Sequence, residues 1–194
     1  RYSYSSNEKK GLSNPVVGRT IEDKDGNLWI GTEGGGLNYY NRRTREFKWY
    51  RPQEGRNSIS HNNVKALYYD ADKEIIWIGT HLGGLNKLDI RSGHFTHYRM
   101  EEGNPATLPS DIIRDIIPYK SLLIVATQNG VCLFNPANGQ CQQLFKDSKE
   151  GKSIKMIADV TFDSEGTLWI AATGEGVFSY RFDTRKLTNY RHDA

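Results

Sequence analysis

The apolar residues of this chain fall in short alternating runs that are separated by turn residues, and no long stripe has the 3.6-residue period of an amphipathic helix. One run, Leu28–Thr32, recurs as Ile76–Thr80 and, in altered form, as Leu168–Ala172. A degenerate copy, with Leu123 in place of the tryptophan, lies between the last two. Short runs of this kind between turns are typical of strands, so the pattern predicts an internally repeated, all-β chain with few helices.

A fixed frame of further residues accompanies each run. Seven residues after each tryptophan, or after Leu123, stands a glycine, and these glycines are Gly36, Gly84, Gly130 and Gly176. An aliphatic residue follows each glycine, and apolar or aromatic residues recur at fixed distances beyond it. Each copy therefore predicts four short strands, and a four-stranded unit of about 45 residues in tandem is typical of a β-propeller blade. We expect residues 14–51, 52–99, 100–146 and 147–194 to form four blades, and residues 1–13 to be the remnant of a preceding blade or linker.

Charge and composition exclude several classes of function. Lys and Arg exceed Asp and Glu by only three, and the basic residues are interspersed with acidic ones, so we expect no nucleic-acid contact. No apolar run approaches the ~18 residues of a membrane span. With two cysteines and no motif for a phosphate, a metal or a cofactor, we expect neither a metal site nor a cofactor. The chain begins at Arg1, so we expect it to be a piece of a longer protein.

The repeated motif resembles a known family. The string Ile21–Thr32, followed by Gly35-Gly36-Leu37-Asn38, is similar to the two-component regulator propeller repeat, and the second copy resembles it almost as well. The resemblance covers roughly residues 14–192. It implies seven-bladed propellers, of which this chain would form four consecutive blades in an open arc. It also implies the periplasmic sensor region of hybrid two-component histidine kinases of Bacteroidetes, which detect glycan fragments and control polysaccharide-utilisation genes.

The resemblance also implies partners. We expect an oligosaccharide ligand, the remaining blades and a second propeller of the parent ectodomain, and a homodimer of the parent receptor, with no membrane contact and no catalysis by this piece. Two alternatives stay open, since a fold does not fix a function. The chain could belong to a propeller scaffold for protein–protein interaction, or to a propeller polysaccharide lyase or hydrolase.

Candidate ligand-binding residues lie in the bends between second and third strands and in the segments between blades, which should share one rim. Their types vary between copies, as expected where loops on a rigid frame carry recognition. The candidates are Glu33, Arg51, Arg56, His61, Asn63, His81, Gln128 and Glu175, with Asn62, Arg99, Asn104 and Asp111 nearby in sequence. Arg51, Arg56 and His61 are expected to form one cluster of donors. Ordinary solvated loops are the alternative interpretation.

Three aromatic or acidic features allow two interpretations each. Asp23–Asn27 fits a hairpin turn better than a calcium loop, because a buried strand follows directly. The repeated Trp29, Trp77 and Trp169 are expected in the core rather than as sugar-stacking platforms. Trp49 has no counterpart in the other copies and is the better candidate for an exposed contact.

Cys132 and Cys141 are the two cysteines of the chain. If Phe134 faces Gly139 across the loop, Cys132 faces Cys141 directly, within reach of a disulfide. The alternative is a pair of small apolar residues in the places of Asn86 and Phe95.

Overall fold

The structure is a computed structural model that describes residues 3–146 and 154–191, and these residues form sixteen strands and one 3₁₀ helix, Glu8–Lys10. Blade 1 contains β1 (Val17–Glu22), β2 (Leu28–Thr32), β3 (Leu37–Asn41) and β4 (Glu46–Tyr50). Blade 2 contains β5 (Val64–Asp70), β6 (Ile75–Thr80), β7 (Leu85–Asp89) and β8 (Phe95–Tyr98). Blade 3 contains β9 (Ile113–Tyr119), β10 (Leu122–Thr127), β11 (Gly130–Phe134) and β12 (Cys141–Gln143). Blade 4 contains β13 (Ile157–Phe162), β14 (Leu168–Ala172), β15 (Gly176–Arg181) and β16 (Lys186–Tyr190).

Each sheet is antiparallel and is built from strands in their sequence order. This confirms the predicted all-β class with four four-stranded blades. Among the described residues, no helix is long and apolar enough to cross a membrane.

The chain divides into two compact units, the first with blades 1 and 2 and the second with blades 3 and 4. In the first unit, Trp29 and Leu37 of blade 1 share a buried cluster with Val64 and Leu67 of blade 2. In the second unit, a separate cluster buries residues of both of its blades, including Phe178. Neighbouring sheets thus cover each other's apolar faces, as expected of a repeat that cannot bury its own.

Trp29 and Trp77 are each only 1% exposed, which confirms that they belong to the core. Trp169 is half-buried, so the same motif is less covered in blade 4. The carboxylate of Asp23 accepts hydrogen bonds from Trp29 Nε1 at 3.1 Å and from the backbone amides of Asp25 and Asn27. This arrangement closes the β1–β2 connection and confirms the hairpin turn.

Blade 3 departs from the predicted alignment by one residue. Thr127 donates its hydroxyl to Gly130 O, as Thr80 does to Gly84 O, although fewer residues separate this pair. The bend of blade 3 is therefore one residue shorter. Ile124 lies opposite Leu133, as Trp77 lies opposite Lys87, so Ile124 and not Leu123 occupies the tryptophan position. The prediction that Leu123 replaces the tryptophan is wrong, because a fixed spacing from the glycine does not detect a shortened bend.

An asparagine on the third strand anchors the segment that leads into blades 1 and 2. Asn86 Oδ1 accepts from Ser60 N–H at 2.9 Å, and Asn86 Nδ2 donates to Ser60 Oγ at 2.8 Å. Asn38 makes the same two bonds with Ser13. A Cβ on Gly83 would lie 2.4 Å from Thr80 Oγ1 and 2.5 Å from Ser60 Oγ, so the close approach of these two hydroxyls requires glycine. The Gly-Gly-Leu-Asn string therefore holds the linker to its blade.

The prediction that Cys132 lies directly opposite Cys141 is wrong. In the β11–β12 register, Phe134 pairs with Cys141 and Cys132 pairs with Gln143, because the connection between these strands is two residues longer than assumed. Cys132 and Cys141 are consequently diagonal neighbours rather than directly opposed. Both are free thiols in the structure.

Candidate functional site

In each blade, the bend between the second and third strands meets the start of the first strand at the same end of the sheet. In every blade, the residue after the conserved threonine position donates its backbone N–H to the carbonyl that precedes the first strand. The N···O distances of these bonds are 3.0 Å from Glu33 to Val16, 2.9 Å from His81 to Asn63, 2.9 Å from Gln128 to Ile112 and 3.1 Å from Thr173 to Met156. The bonds fix the side chains of four equivalent positions on rigid strand ends.

The first unit gathers several candidates into one group, which we call the rim cluster: Glu33, His61, Asn62, Asn63, Lys65 and His81. Asn62 O accepts from the amides of Gly34 at 3.2 Å and Gly36 at 2.7 Å, which ties the inter-blade linker to the bend of blade 1. The linker is also tied to blade 2 through His81 and Asn63. The predicted rim location is thus observed for Glu33, His61, Asn63 and His81.

Charges in the rim cluster are paired. Lys65 Nζ on β5 forms a salt bridge and a hydrogen bond with the Glu33 carboxylate. The hydrogen bond and charge of Lys65 hold the pKa of Glu33 below its usual value, so the carboxylate stays ionised. The Lys65 side chain remains 27% exposed and that of Glu33 47% exposed, so solvent reaches both groups.

The two histidines of the rim cluster offer imidazole nitrogens as hydrogen-bonding groups. His61 Nδ1 accepts from the Asn63 backbone N–H at 3.1 Å, which directs its Nε2 away from that bond. His81 Nδ1 has no hydrogen-bond partner among the described residues. Because this nitrogen is buried, a buried water beside His81 would satisfy it.

Arg51 and Arg56 lie in a different place. Arg51 stacks on the Trp49 ring at 4.5 Å and donates from Nη2 to Ser13 O at 3.3 Å. Arg56 is exposed and bonds to Gln53 Oε1 at 3.2 Å within its own turn. The segment around Gln53 and Arg51 lines an outer cleft of about 230 Å³ beside Tyr50. The expected cluster of Arg51, Arg56 and His61 is therefore not assembled by these contacts, because the linker runs along the outer strand of blade 2 before it reaches the rim.

Trp49 is an anchor for the N-terminal segment. Its Nε1 donates to Gly11 O at 2.9 Å, and its backbone N–H donates to the Glu8 carboxylate at 2.6 Å. The ring is half-buried and packs against the cluster that contains Leu12 and Phe47. These contacts indicate a structural role, which a sequence comparison of blades could not distinguish from a binding role.

In the second unit the candidates are spread out. Gln128 Oε1 accepts from Arg114 Nη2 at 3.5 Å, and Gln128 O accepts from Met156 N–H at 2.8 Å. Glu175 lies in the bend of blade 4, where its N–H bonds to Ala172 O. The remaining loop residues bond within their own loop: Arg99 forms a salt bridge with Asp111 at 3.4 Å, and Asn104 bonds to Glu101.

Sequence reasoning missed two rim residues, Lys65 and Thr173. Lys65 is the second residue of β5, so its side chain points away from the core that Val64 and Ala66 enter. The alternation of apolar and polar residues at the start of β5 could have indicated that Lys65 is exposed. Thr173 was hidden because Ala172 replaces the threonine that marks the other bends.

Comparisons with known proteins follow this geometry. Residues 11–34 and 58–81 match the family described as two component regulator propeller. Both matched segments run from the anchored linker, through the buried tryptophan, to the bend at the rim. Blades 1 and 2 carry the two-component regulator propeller repeat. The match confirms the resemblance to this repeat. Each matched segment includes the linker and the first two strands of its blade.

Solved structures share the fold of the whole chain. The extracellular domain of a protein described as the hybrid two component system BT3049 from B. thetaiotaomicron is 24% identical over 99% of this chain, with a TM-score of 0.84. Two structures of the extracellular domain of BT4673 from B. thetaiotaomicron, described once as a one component and once as a hybrid two component system, are 23% and 24% identical over 100% of this chain. Their TM-scores are 0.79 and 0.76.

This chain spans only about a quarter of each solved domain, 27%, 27% and 26% respectively. A partial propeller fits that coverage. No curated protein matches the sequence of this chain.

Proposed function

We propose that this chain is part of the periplasmic sensor region of a hybrid two-component histidine kinase, which detects glycan-derived oligosaccharides and controls polysaccharide-utilisation genes. The observation that carries the proposal is the regulator propeller repeat at residues 11–34 and 58–81, in a chain with the fold of extracellular domains of such systems over nearly its full length. The piece itself has no catalytic part in this proposal. Its role is to hold a recognition surface and to pass on the effect of a ligand.

The chemistry of the rim cluster suits a sugar. An oligosaccharide presents many hydroxyl groups, which both donate and accept hydrogen bonds. Imidazole and amide side chains at His61, Asn62 and His81 match that pattern, and the Lys65–Glu33 pair offers one charged donor and one charged acceptor. The strand ends below them are rigid, so little ordering entropy is lost when a ligand binds.

The linker offers a route by which a ligand would act. Residues 60–63 bond to the bend of blade 1 through Asn62 and to blade 2 through Ser60 and Asn63. A ligand that displaces Asn62 or His61 therefore changes how these two blades are tied together. Such a shift between bistable packings is a known form of signal transmission in proteins.

The proposal also includes partners. The remaining blades and a second propeller of the parent ectodomain would continue the structure, and the parent receptor would form a homodimer. Nucleic acid and membrane are not partners of this piece in the proposal.

Calorimetry on the full parent ectodomain, titrated with a panel of neutral and uronic oligosaccharides, tests the proposal. The matched variants are Lys65→Ala and Lys73→Ala, since both lysines pair with carboxylates but Lys73 bonds to Asp70 in the β5–β6 turn, at the far end of β5 from Lys65. We expect Lys65→Ala and His61→Ala to weaken binding by about 5-fold or more, roughly 1 kcal/mol. Lys73→Ala and Arg56→Ala should leave the affinity unchanged.

Two results would contradict the proposal in different ways. Binding that is insensitive to Lys65→Ala and His61→Ala would remove the rim cluster from recognition. Absence of binding to every oligosaccharide, together with a protein ligand on the same ectodomain, would favour the scaffold alternative.

A further inference from the structure

Blade 3 contains two buried thiols that meet. The Sγ atoms of Cys132 on β11 and Cys141 on β12 lie 2.9 Å apart, and the residues are 0% and 6% exposed. Neither takes part in the rim cluster. We propose that Cys132 and Cys141 form a disulfide within blade 3 that fastens its outer strand to the sheet.

The two cysteines replace two structural residues of the repeat in the same blade. Cys132 stands where Asn86 anchors the linker of blade 2, and Cys141 stands where Phe95 fills its core. In blade 3 the Cys141 N–H donates to Ala106 O of the linker at 2.7 Å, as the Phe95 N–H donates to Asn57 Oδ1 in blade 2. Both side-chain contacts of the standard blade are thus absent at these positions, and a pair of thiols in contact takes their place.

The outer strand of blade 3 is held to its sheet by fewer backbone pairs than the outer strands of blades 1 and 4. β12 has three residues, Cys141–Gln143, and forms three register pairs with β11. The outer strands of blades 1 and 4 each form five. A short edge strand with few ladder bonds opens easily, and a covalent bond between neighbouring strands prevents that opening.

The geometry needs little adjustment. Diagonal neighbours on one face of a sheet are farther apart than direct partners, yet the sheet here already brings the two sulfurs within one ångström of bonding distance, ~2.05 Å. Only eight residues lie between the two cysteines, so the bond closes a small loop, which limits the entropy that the unfolded chain gains when the bond is absent.

The bond forms by thiol–disulfide exchange with an external disulfide, either a small molecule or a protein oxidant. A thiolate of the pair attacks that disulfide and releases one thiol, and the second cysteine then attacks the mixed disulfide and releases the other. Two protons leave the cysteines, two electrons pass to the oxidant, and one S–S bond forms for one broken. Burial, and the Cys141 sulfur beside it, raise the pKa of the Cys132 thiol. Cys141 is the more exposed of the two residues, 6% against 0%, so its sulfur is reached first by the oxidant. The oxidising compartment that the proposed function would provide favours this reaction, but the chemistry can be tested without it.

Intact mass measurement on the whole chain after incubation with oxidised glutathione provides the test. The sample is denatured and treated with iodoacetamide, with and without prior reduction. We expect the unreduced chain to be about 2 Da lighter, to take up no alkyl group, and to run as a monomer. Peptide mapping should join the segments that contain Cys132 and Cys141.

The stability of the wild-type chain gives a second readout, with two variants as controls. The oxidised wild-type chain should melt several degrees above the reduced one, and a phosphine should reduce the bond much faster in denaturant than in the native state. Cys132→Ser and Cys141→Ser should each abolish the shift between oxidised and reduced samples. Alkylation of both cysteines after exposure to the oxidant, or a bond found only between chains, would overturn the proposal.

Discussion

Blades 1 and 4 carry the same tryptophan motif but differ in how well they bury it. Trp29 is 1% exposed, and Leu37 beside it is fully buried under residues of blade 2. In blade 4, Trp169 is half-buried, and its equivalent neighbours Val177 and Tyr190 are 39% and 52% exposed. The motif therefore places apolar side chains on one face of the sheet, and a neighbouring blade is needed to bury them.

Blades 1 and 2 also differ from blade 4 in how they hold the linker that precedes them. Blades 1 and 2 use an asparagine, a serine and a close-packed glycine. Blade 4 has Phe178 at the asparagine position and Glu175 at the position of Gly83, and Phe178 packs in the same cluster as Ile154. A glycine is retained where a linker hydroxyl approaches closely, and a larger residue stands where the anchoring is apolar.

Truncation of the two tryptophans should give the largest effect. We expect Trp29→Ala to cost about 3–5 kcal/mol of unfolding free energy, because a fully packed ring is lost. Trp169→Ala should cost roughly half of that or less, since part of its ring already faces solvent. Urea unfolding followed by circular dichroism measures both. Equal costs in this chain would refute the idea that the neighbouring blade supplies the burial.

Removal of the polar anchor should come next. Asn86→Ala leaves the Ser60 N–H without its acceptor in a part-buried site, so we expect a loss of about 1–3 kcal/mol. Asn62→Ala, which removes an exposed asparagine side chain from the same linker, is the control and should stay within about 0.5 kcal/mol. If both variants unfold at the same urea concentration, the anchor contributes nothing.

Substitutions at Gly83 of blade 2 and at Glu175, the corresponding residue of blade 4, should affect stability differently. Gly83→Ala places a methyl group 2.4 Å from Thr80 Oγ1, 2.5 Å from Ser60 Oγ and 2.7 Å from His61 Cβ, so overpacking should cost about 1–3 kcal/mol. Glu175→Ala at the corresponding position should change stability by less than about 0.5 kcal/mol. Thermal unfolding of both variants and of Gly83→Ala with Ser60→Ala is the measurement. The second substitution should recover part of the loss, and no recovery would mean that Ser60 is not the obstacle.

The smallest effect is a dependence on pH in blade 4. Trp169 Nε1 donates to Asp163 at 2.8 Å, and this bond, with the amide of Thr167, holds the pKa of Asp163 below its usual value. A lowered folded pKa gives stability that is present above the unfolded value, ~3.9, and is lost as the pH falls through the folded value. Melting temperatures of wild type and Asp163→Asn at pH 7 and pH 3 should therefore differ most at pH 7. A difference that does not change with pH would show that the charge of Asp163 is unimportant.

Much of the fold could be predicted because the repeat is local. The four strands of each blade follow one another in sequence, so their turns and alternation are visible in short windows around Trp29 or Trp77. The one-residue shift in blade 3 was not visible, because Leu123 and Ile124 are both aliphatic and only the pairing across the sheet distinguishes them.

The candidate site could be predicted less well. Glu33, His61, Asn63 and His81 were placed at the rim because bends and strand starts share one end of a blade. Arg51 and Arg56 were misplaced relative to them, since a long linker can run along an outer strand before it turns inward. Lys65 was overlooked because it lies in a strand rather than in a loop.

The sequence by itself determined the number of blades, most of the residues that build each sheet and the glycine that precedes each third strand, since each of these depends on contacts within one repeat. Only the tertiary structure decided the depth of burial of each tryptophan, the path of the linkers and the diagonal meeting of Cys132 with Cys141. These depend on register and on neighbouring sheets, because a side chain two positions along a strand keeps its face but changes its partner.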